Sequence, residues 1–158
     1  MPSAVFYTRL RLKESLIMSE ETNSHGDARP TIFLVEEDDD VRPILTRNLR
    51  RHGYRLLVAA DLEDAHEWVS GESPINADLV LINLVRKTPE EAVKLGRALR
   101  EQAKYDGHTP LVVMPEHVPG ELAGKVVNVS GNDWVCYYDE DSNQLRTLLA
   151  RLLNHSSS

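Results

Sequence analysis

The chain has 158 residues with 41% hydrophobic and 27% charged side chains, enough for one domain with a proper core and too few for two of ordinary size. Its formal charge is −7, and residues 1–29 sum to zero (Arg9, Arg11, Lys13 and Arg29 against Glu14, Glu20, Glu21 and Asp27), so the acid excess sits in residues 30–158. An acidic domain repels phosphate backbones, which argues against nucleic-acid binding; no apolar run approaches the ~18 residues of a membrane span.

Residues 1–29 read as a flexible tail. Val5, Phe6, Tyr7, Leu10 and Leu12 fit a short amphipathic helix without the features of a secretory signal, and Ser19–Arg29 is polar and turn-rich. Met18 is an alternative start, on which reading residues 1–17 have no role. Residues 30–154 form the globular domain and 155–158 a polar end.

Five apolar runs recur: Ile32–Val35, Leu56–Ala60, Leu79–Leu84, Leu111–Met114 and Trp134–Tyr138. Most are continuous rather than alternating, as expected of strands buried on both faces. Helical stripes lie between them: Val41, Ile44, Leu45 and Leu49; Leu62, Ala65 and Val69; Ala92, Leu95, Leu99 and Ala103; and Leu145, Leu148, Leu149 and Leu152. Thr88-Pro89-Glu90-Glu91 is a capping box, Asp39 or Asp40 is expected to cap the first helix, Asp61 and Asp141 later ones, and Gly53 to end the first. Residues 119–130, with Leu122, Val126, Val127 and Val129 but two glycines, give the weakest helix pattern. The whole predicts an α/β, doubly wound (βα)₅ fold of flavodoxin-like type, a five-stranded parallel sheet with helices on both faces. Ligand sites in such sheets lie at the carboxyl ends of the strands, which directs attention to Glu36–Asp38, Asn83, Pro115 and Tyr138.

The acids Glu36-Glu37-Asp38-Asp39-Asp40 follow the first strand. They fit either a Mg²⁺ site or a helix start that favours negative charge. Ile32-Phe33-Leu34-Val35-Glu36-Glu37-Asp38-Asp39-Asp40-Val41-Arg42 resembles the opening of bacterial response-regulator receiver domains. Ala77-Asp78-Leu79-Val80-Leu81-Ile82-Asn83-Leu84 resembles their third strand, Thr109–Met114 is similar to the fourth, and Gly131-Asn132-Asp133-Trp134 to the approach to the fifth. The resemblance covers residues 30–154 and implies a cytoplasmic two-component (phosphorelay) module, with an acidic Mg²⁺-binding pair at Glu36 and Glu37, and Glu37 and Asp38 as the residues to hold any weakly bound Mg²⁺.

The departures from that family concentrate in one pocket. The phosphoacceptor aspartate aligns with Asn83, whose carboxamide has no anionic oxygen to attack phosphorus. The switch hydroxyl aligns with Pro115 and the lysine with Tyr138. The resemblance therefore implies a degenerate phosphoacceptor pocket of Glu36, Glu37, Asn83, Pro115 and Tyr138, and a non-enzymatic pseudo-receiver with no certain cofactor. Its expected partners are proteins: a histidine kinase, another receiver, an output protein or a second copy. The family's docking face, from the fourth helix to the fifth, maps onto residues 119–154, with Trp134, Val135, Tyr137 and Leu145 as candidates; whether Trp134 or Val135 holds the aromatic-switch position stays open. The alternatives are Mg²⁺-dependent phosphotransfer to another carboxylate such as Asp38, or small-ligand sensing in the same pocket. The six histidines lack metal-ligand spacing, and Cys136 reads as core.

Overall fold

The computed structural model describes residues 28–73, 75–138 and 143–155. The N-terminal tail up to Asp27, the Asp141 cap and the last three residues of the polar end lie outside them.

The chain runs β1 (Thr31–Glu36), α1 (Val41–Arg51), β2 (Arg55–Ala59), α2 (Leu62–Val69), β3 (Leu79–Asn83), α3 (Pro89–Gln102), β4 (Leu111–Val113), β5 (Lys125–Ser130), β6 (Asp133–Tyr137) and α4 (Asn143–His155). The sheet order is β2-β1-β3-β4-β6-β5. Five strands pair in parallel, as the continuous apolar runs require, and β5 pairs with β6 antiparallel.

Alternation along the strands sorts the core into two layers. Phe33, Val35, Val80, Ile82 and Val113 pack beneath α2 and α3 with Ala65, Trp68, Ala92 and Leu99. Ile32, Leu34, Leu79, Leu81 and Cys136 pack beneath α1 and α4 with Leu49, Leu145, Leu148 and Leu149. One member of the predicted stripes departs: Ile44 is 61% exposed, turned away from the face that buries Leu49.

The helix ends follow local chemistry. The Thr88 hydroxyl accepts from the Glu91 N–H while the Glu91 carboxylate accepts from the Thr88 N–H, and the Asp61 carboxylate accepts from the Asp64 N–H. Gly53 takes φ +91 just past α1. The α1 start corrects the expectation. Asp40 makes no side-chain cap; the Asp38 carboxylate accepts from the N–H groups of Asp40 and Val41 instead.

The second correction concerns residues 119–130. The expected helix is absent, and turns over Gly120–Gly124 lead into β5. Val126, Val127 and Val129 are β-branched and favour extended backbone. Gly131-Asn132, with Gly131 at φ +50, closes a two-residue turn that folds β5 back on β6. The five-stranded parallel sheet is thus extended by a sixth, antiparallel strand.

A buried aspartate ties this hairpin to α3. Asp133 accepts from Arg97 at 2.6 Å and from Arg100 at 2.7 Å, and Arg97 also donates to the Ser130 hydroxyl. Just before Arg97, α3 approaches the sheet so closely at Gly96 that a Cβ there would lie 2.7 Å from Leu111 Cδ1 and 3.0 Å from Ile82 Cδ1. Gly96→Leu is therefore expected to lower stability by about 3 kcal/mol, at the upper end of overpacking costs. A denaturant midpoint unchanged from the parent would contradict that packing.

Candidate functional site

Glu36 ends β1 and Asn83 ends β3, and the parallel register sets them side by side. Both are buried, at 0% and 5% exposure. The Asn83 Nδ2 donates to both Glu36 oxygens, at 2.9 and 3.0 Å. The Asp38 N–H donates to Glu36 Oε1 at 3.0 Å, and the Glu37 N–H to the Asn83 carbonyl at 3.1 Å. Arg42 bonds the Glu36 carbonyl through Nη1 and pairs with Asp39. The strand ends are thus cross-linked by polar contacts within the carboxyl edge of the sheet.

Burial pushes the Glu36 carboxyl up to about 7; the Asp38 N–H and the Asn83 amide oppose the rise, the Asp38 charge adds to it and Arg42 reduces it. Asn83 Oδ1 is buried with no hydrogen-bond partner.

The predicted pocket residues divide. Tyr138 is half-buried, and its phenol is raised by burial and then by the charges of Glu36 and Asp38, so it belongs with Glu36, Asp38 and Asn83 and stays neutral at pH 7. Glu37 faces elsewhere: its carboxyl is raised by burial and by Asp61, and lowered by the Val85 backbone and Lys87, with Glu116 also nearby. The expected acidic pair is therefore split between two environments. Pro115 is buried behind Met114, with no hydroxyl to offer. Arg42 was not singled out from the sequence; its spacing of six residues from Glu36, across the turn into α1, is the signal that could have found it.

Mg²⁺, which the fold family implies, does not fit these donors. Glu36 is engaged through both oxygens, Asp38 Oδ1 is spent on the α1 start, and Glu37 is turned toward Asp61. Among the described residues no three His, Cys, Asp or Glu side chains converge as a metal site would need.

The expected interaction face also changes. Val135 and Leu145 are core residues at 3% and 4% exposure and cannot present a surface. Tyr137 is half-buried against the α2–α3 layer. Trp134 is half-buried on the opposite face, with the Arg151 guanidinium 4.9 Å from its ring centre. The register places Trp134 beside Val112 and Val135 beside Val113, so Val135 and Tyr137 share the α2–α3 face. Cys136 is fully buried and its thiol is pushed up to about 11 by burial, as suits a core residue.

No family model and no curated protein matches the chain. Solved structures do. The chain is similar to a response-regulator receiver protein from Sinorhizobium medicae (21% identity, TM-score 0.58, covering 80% of this chain and 95% of that one). It is similar to the Thermotoga maritima response regulator TrrA, solved in complex with Mg²⁺-BeF (16% identity, TM-score 0.55, 78% and 98%). It is also similar to the receiver domain of the hybrid histidine kinase CckA (25% identity, TM-score 0.52, 78% and 98%). The chain has the fold of response-regulator receiver domains. No described helix is long and apolar enough to cross a membrane.

Proposed function

We propose that this chain is a non-enzymatic, cytoplasmic signalling module of the two-component type, working through protein contacts and without an aspartyl-phosphate switch. One observation carries the reading: the position beside Glu36 at the end of β3 is a buried carboxamide whose nitrogen is held on the Glu36 carboxylate. An amide in that place neither attacks phosphorus nor stores a phosphoryl group. Tyr138 supplies no cation and Pro115 no hydroxyl to hold a phosphoryl oxygen. A histidine kinase, another receiver or an output protein is the class of partner in view. Phosphotransfer redirected to Asp38 gains no support, because Asp38 Oδ1 already accepts two backbone N–H groups.

Incubation with acetyl phosphate and Mg²⁺, read by intact mass, tests this. No phosphoryl adduct is expected on the parent chain. Asn83→Asp alone is also expected to show no phosphorylation-dependent change in its amide spectrum, since it sets a second buried carboxylate against Glu36 and restores neither hydroxyl nor lysine. A gain of one phosphoryl mass in the parent would overturn the reading, and its loss in Asp38→Asn would locate the acceptor.

A further inference from the structure

β5 is an edge of the sheet, and five of its six residues are exposed. Of the three exposed large hydrophobic residues among those described, Val127 and Val129 lie on this strand. The Lys125 N–H bonds the Leu122 carbonyl rather than Tyr137. The Leu111 N–H bonds the Asn132 carbonyl, which turns the Trp134 backbone toward β4 and that of Val135 toward β5. The antiparallel ladder to β6 therefore falls to Val127, opposite Val135, and alternation turns the N–H and C=O of Val126 and Asn128 to the open edge. Such an edge is a template for another strand.

We propose that β5 pairs antiparallel with β5 of a second copy of this chain about a two-fold axis at Val127, joining the two sheets into one. Charge favours a second copy. The chain carries −7, so most of its surface repels its like, yet Lys-Val-Val-Asn-Val-Ser holds no acid and a single base. Pairing about Val127 sets Val127 against its mate, Val126 against Asn128, and Lys125 against Val129. The two lysines stand at opposite ends of the pairing, and each lays its aliphatic stem on an exposed valine. Both exposed valines are covered. A closed two-fold arrangement satisfies the two edges mutually and leaves no new edge at the joint. The register irregularity between Asn128 and Ser130 lies off the axis and limits how far pairing extends. A six-residue strand spans only about 20 Å, so the contact lies below the ~1,200 Å² of stable specific interfaces and the dimer is a reversible one.

This deepens the reading of the chain as a protein-contact module, and the two can fail separately: a phosphoryl adduct would sink that reading, whereas the edge is tested by self-association. Sedimentation velocity of the full chain from about 10 to 500 μM, a range suited to a weak interface, should show a monomer–dimer equilibrium, with slowed exchange of the Val126 and Asn128 amides at high concentration. Val126→Pro removes an outward N–H while sparing the β6 ladder, and should weaken association at least about tenfold. Two further variants guard against misfolding and report the register. Val129→Lys faces Lys125 of the second copy and should weaken the dimer, whereas Val129→Glu should strengthen it. A chain monomeric throughout the range, or a dimer indifferent to all three substitutions, overturns the proposal. Equal weakening by Val129→Lys and Val129→Glu overturns the register.

Discussion

Glu36→Gln is expected to raise folding stability at pH 8 by about 3 kcal/mol. The Glu36 carboxyl is raised from 4.5 to about 7 by burial at the end of β1, and each pKa unit corresponds to about 1.4 kcal/mol. The folded state therefore binds a proton more tightly than the unfolded chain. Between pH 4.5 and 7 the folded form holds more of that proton, so stability falls as pH rises. Glu36 favours the fold fully below about 4.5, and the benefit is lost through about 7. Above that, a buried charge persists with Asn83 and the Asp38 N–H as partial compensation. Glutamine keeps the shape and an acceptor oxygen but carries no charge. Urea unfolding of parent and variant at pH 5 and pH 8 separates this group from every other. The curves should nearly coincide at pH 5 and diverge at pH 8, and a variant less stable than the parent at pH 8 would show that the charged form is well solvated.

The second large effect is expected at Asp133. Its carboxylate is nearly buried and receives Arg97 and Arg100 together, with Arg100 also bonding the Thr109 carbonyl. Asp133→Ala leaves both guanidinium groups without that carboxylate and frees the β5–β6 hairpin from α3. Breaking a buried pair costs about 3–5 kcal/mol. Arg97 is nearly half exposed, which places the expected loss at the lower end, about 3 kcal/mol. Asp133→Asn, which keeps the shape, should cost less. Hydrogen exchange should show β5 and β6 opening first, and uniform loss of protection across the sheet would contradict a local clamp.

The two effects have opposite signs because the surroundings differ. Asp133 is buried against two cations, Glu36 chiefly against an amide and backbone groups. In the first setting two guanidinium groups hold the carboxylate, whereas in the second burial favours the protonated form.

Much of this was legible in the sequence. The runs Ile32–Val35 and Leu79–Leu84 are apolar on both faces, and only a central parallel strand buries both. Thr88-Pro89-Glu90-Glu91 closes its capping box from local chemistry alone. Glu36 and Asn83 could be named because each ends such a run. Residues 119–130 carry a weak apolar period, but their β-branched valines and the Gly131-Asn132 turn, itself a hairpin signal, outweigh it. The interaction candidates Val135 and Leu145 failed for a related reason: a residue's place on a strand or helix does not say what covers it, and here the α2–α3 and α1–α4 layers do.

The sequence by itself determined the parallel sheet and the strand ends that carry the acids and Asn83, since these follow from side-chain chemistry and local period. Tertiary structure decided the rest. It paired Glu36 with Asn83 rather than with Glu37, because the β1–β3 register aligns the first two while successive side chains leave a strand on opposite faces. It turned the expected fourth helix into an open edge, because pairing with β6 satisfies backbone groups that a glycine-interrupted helix would hold poorly.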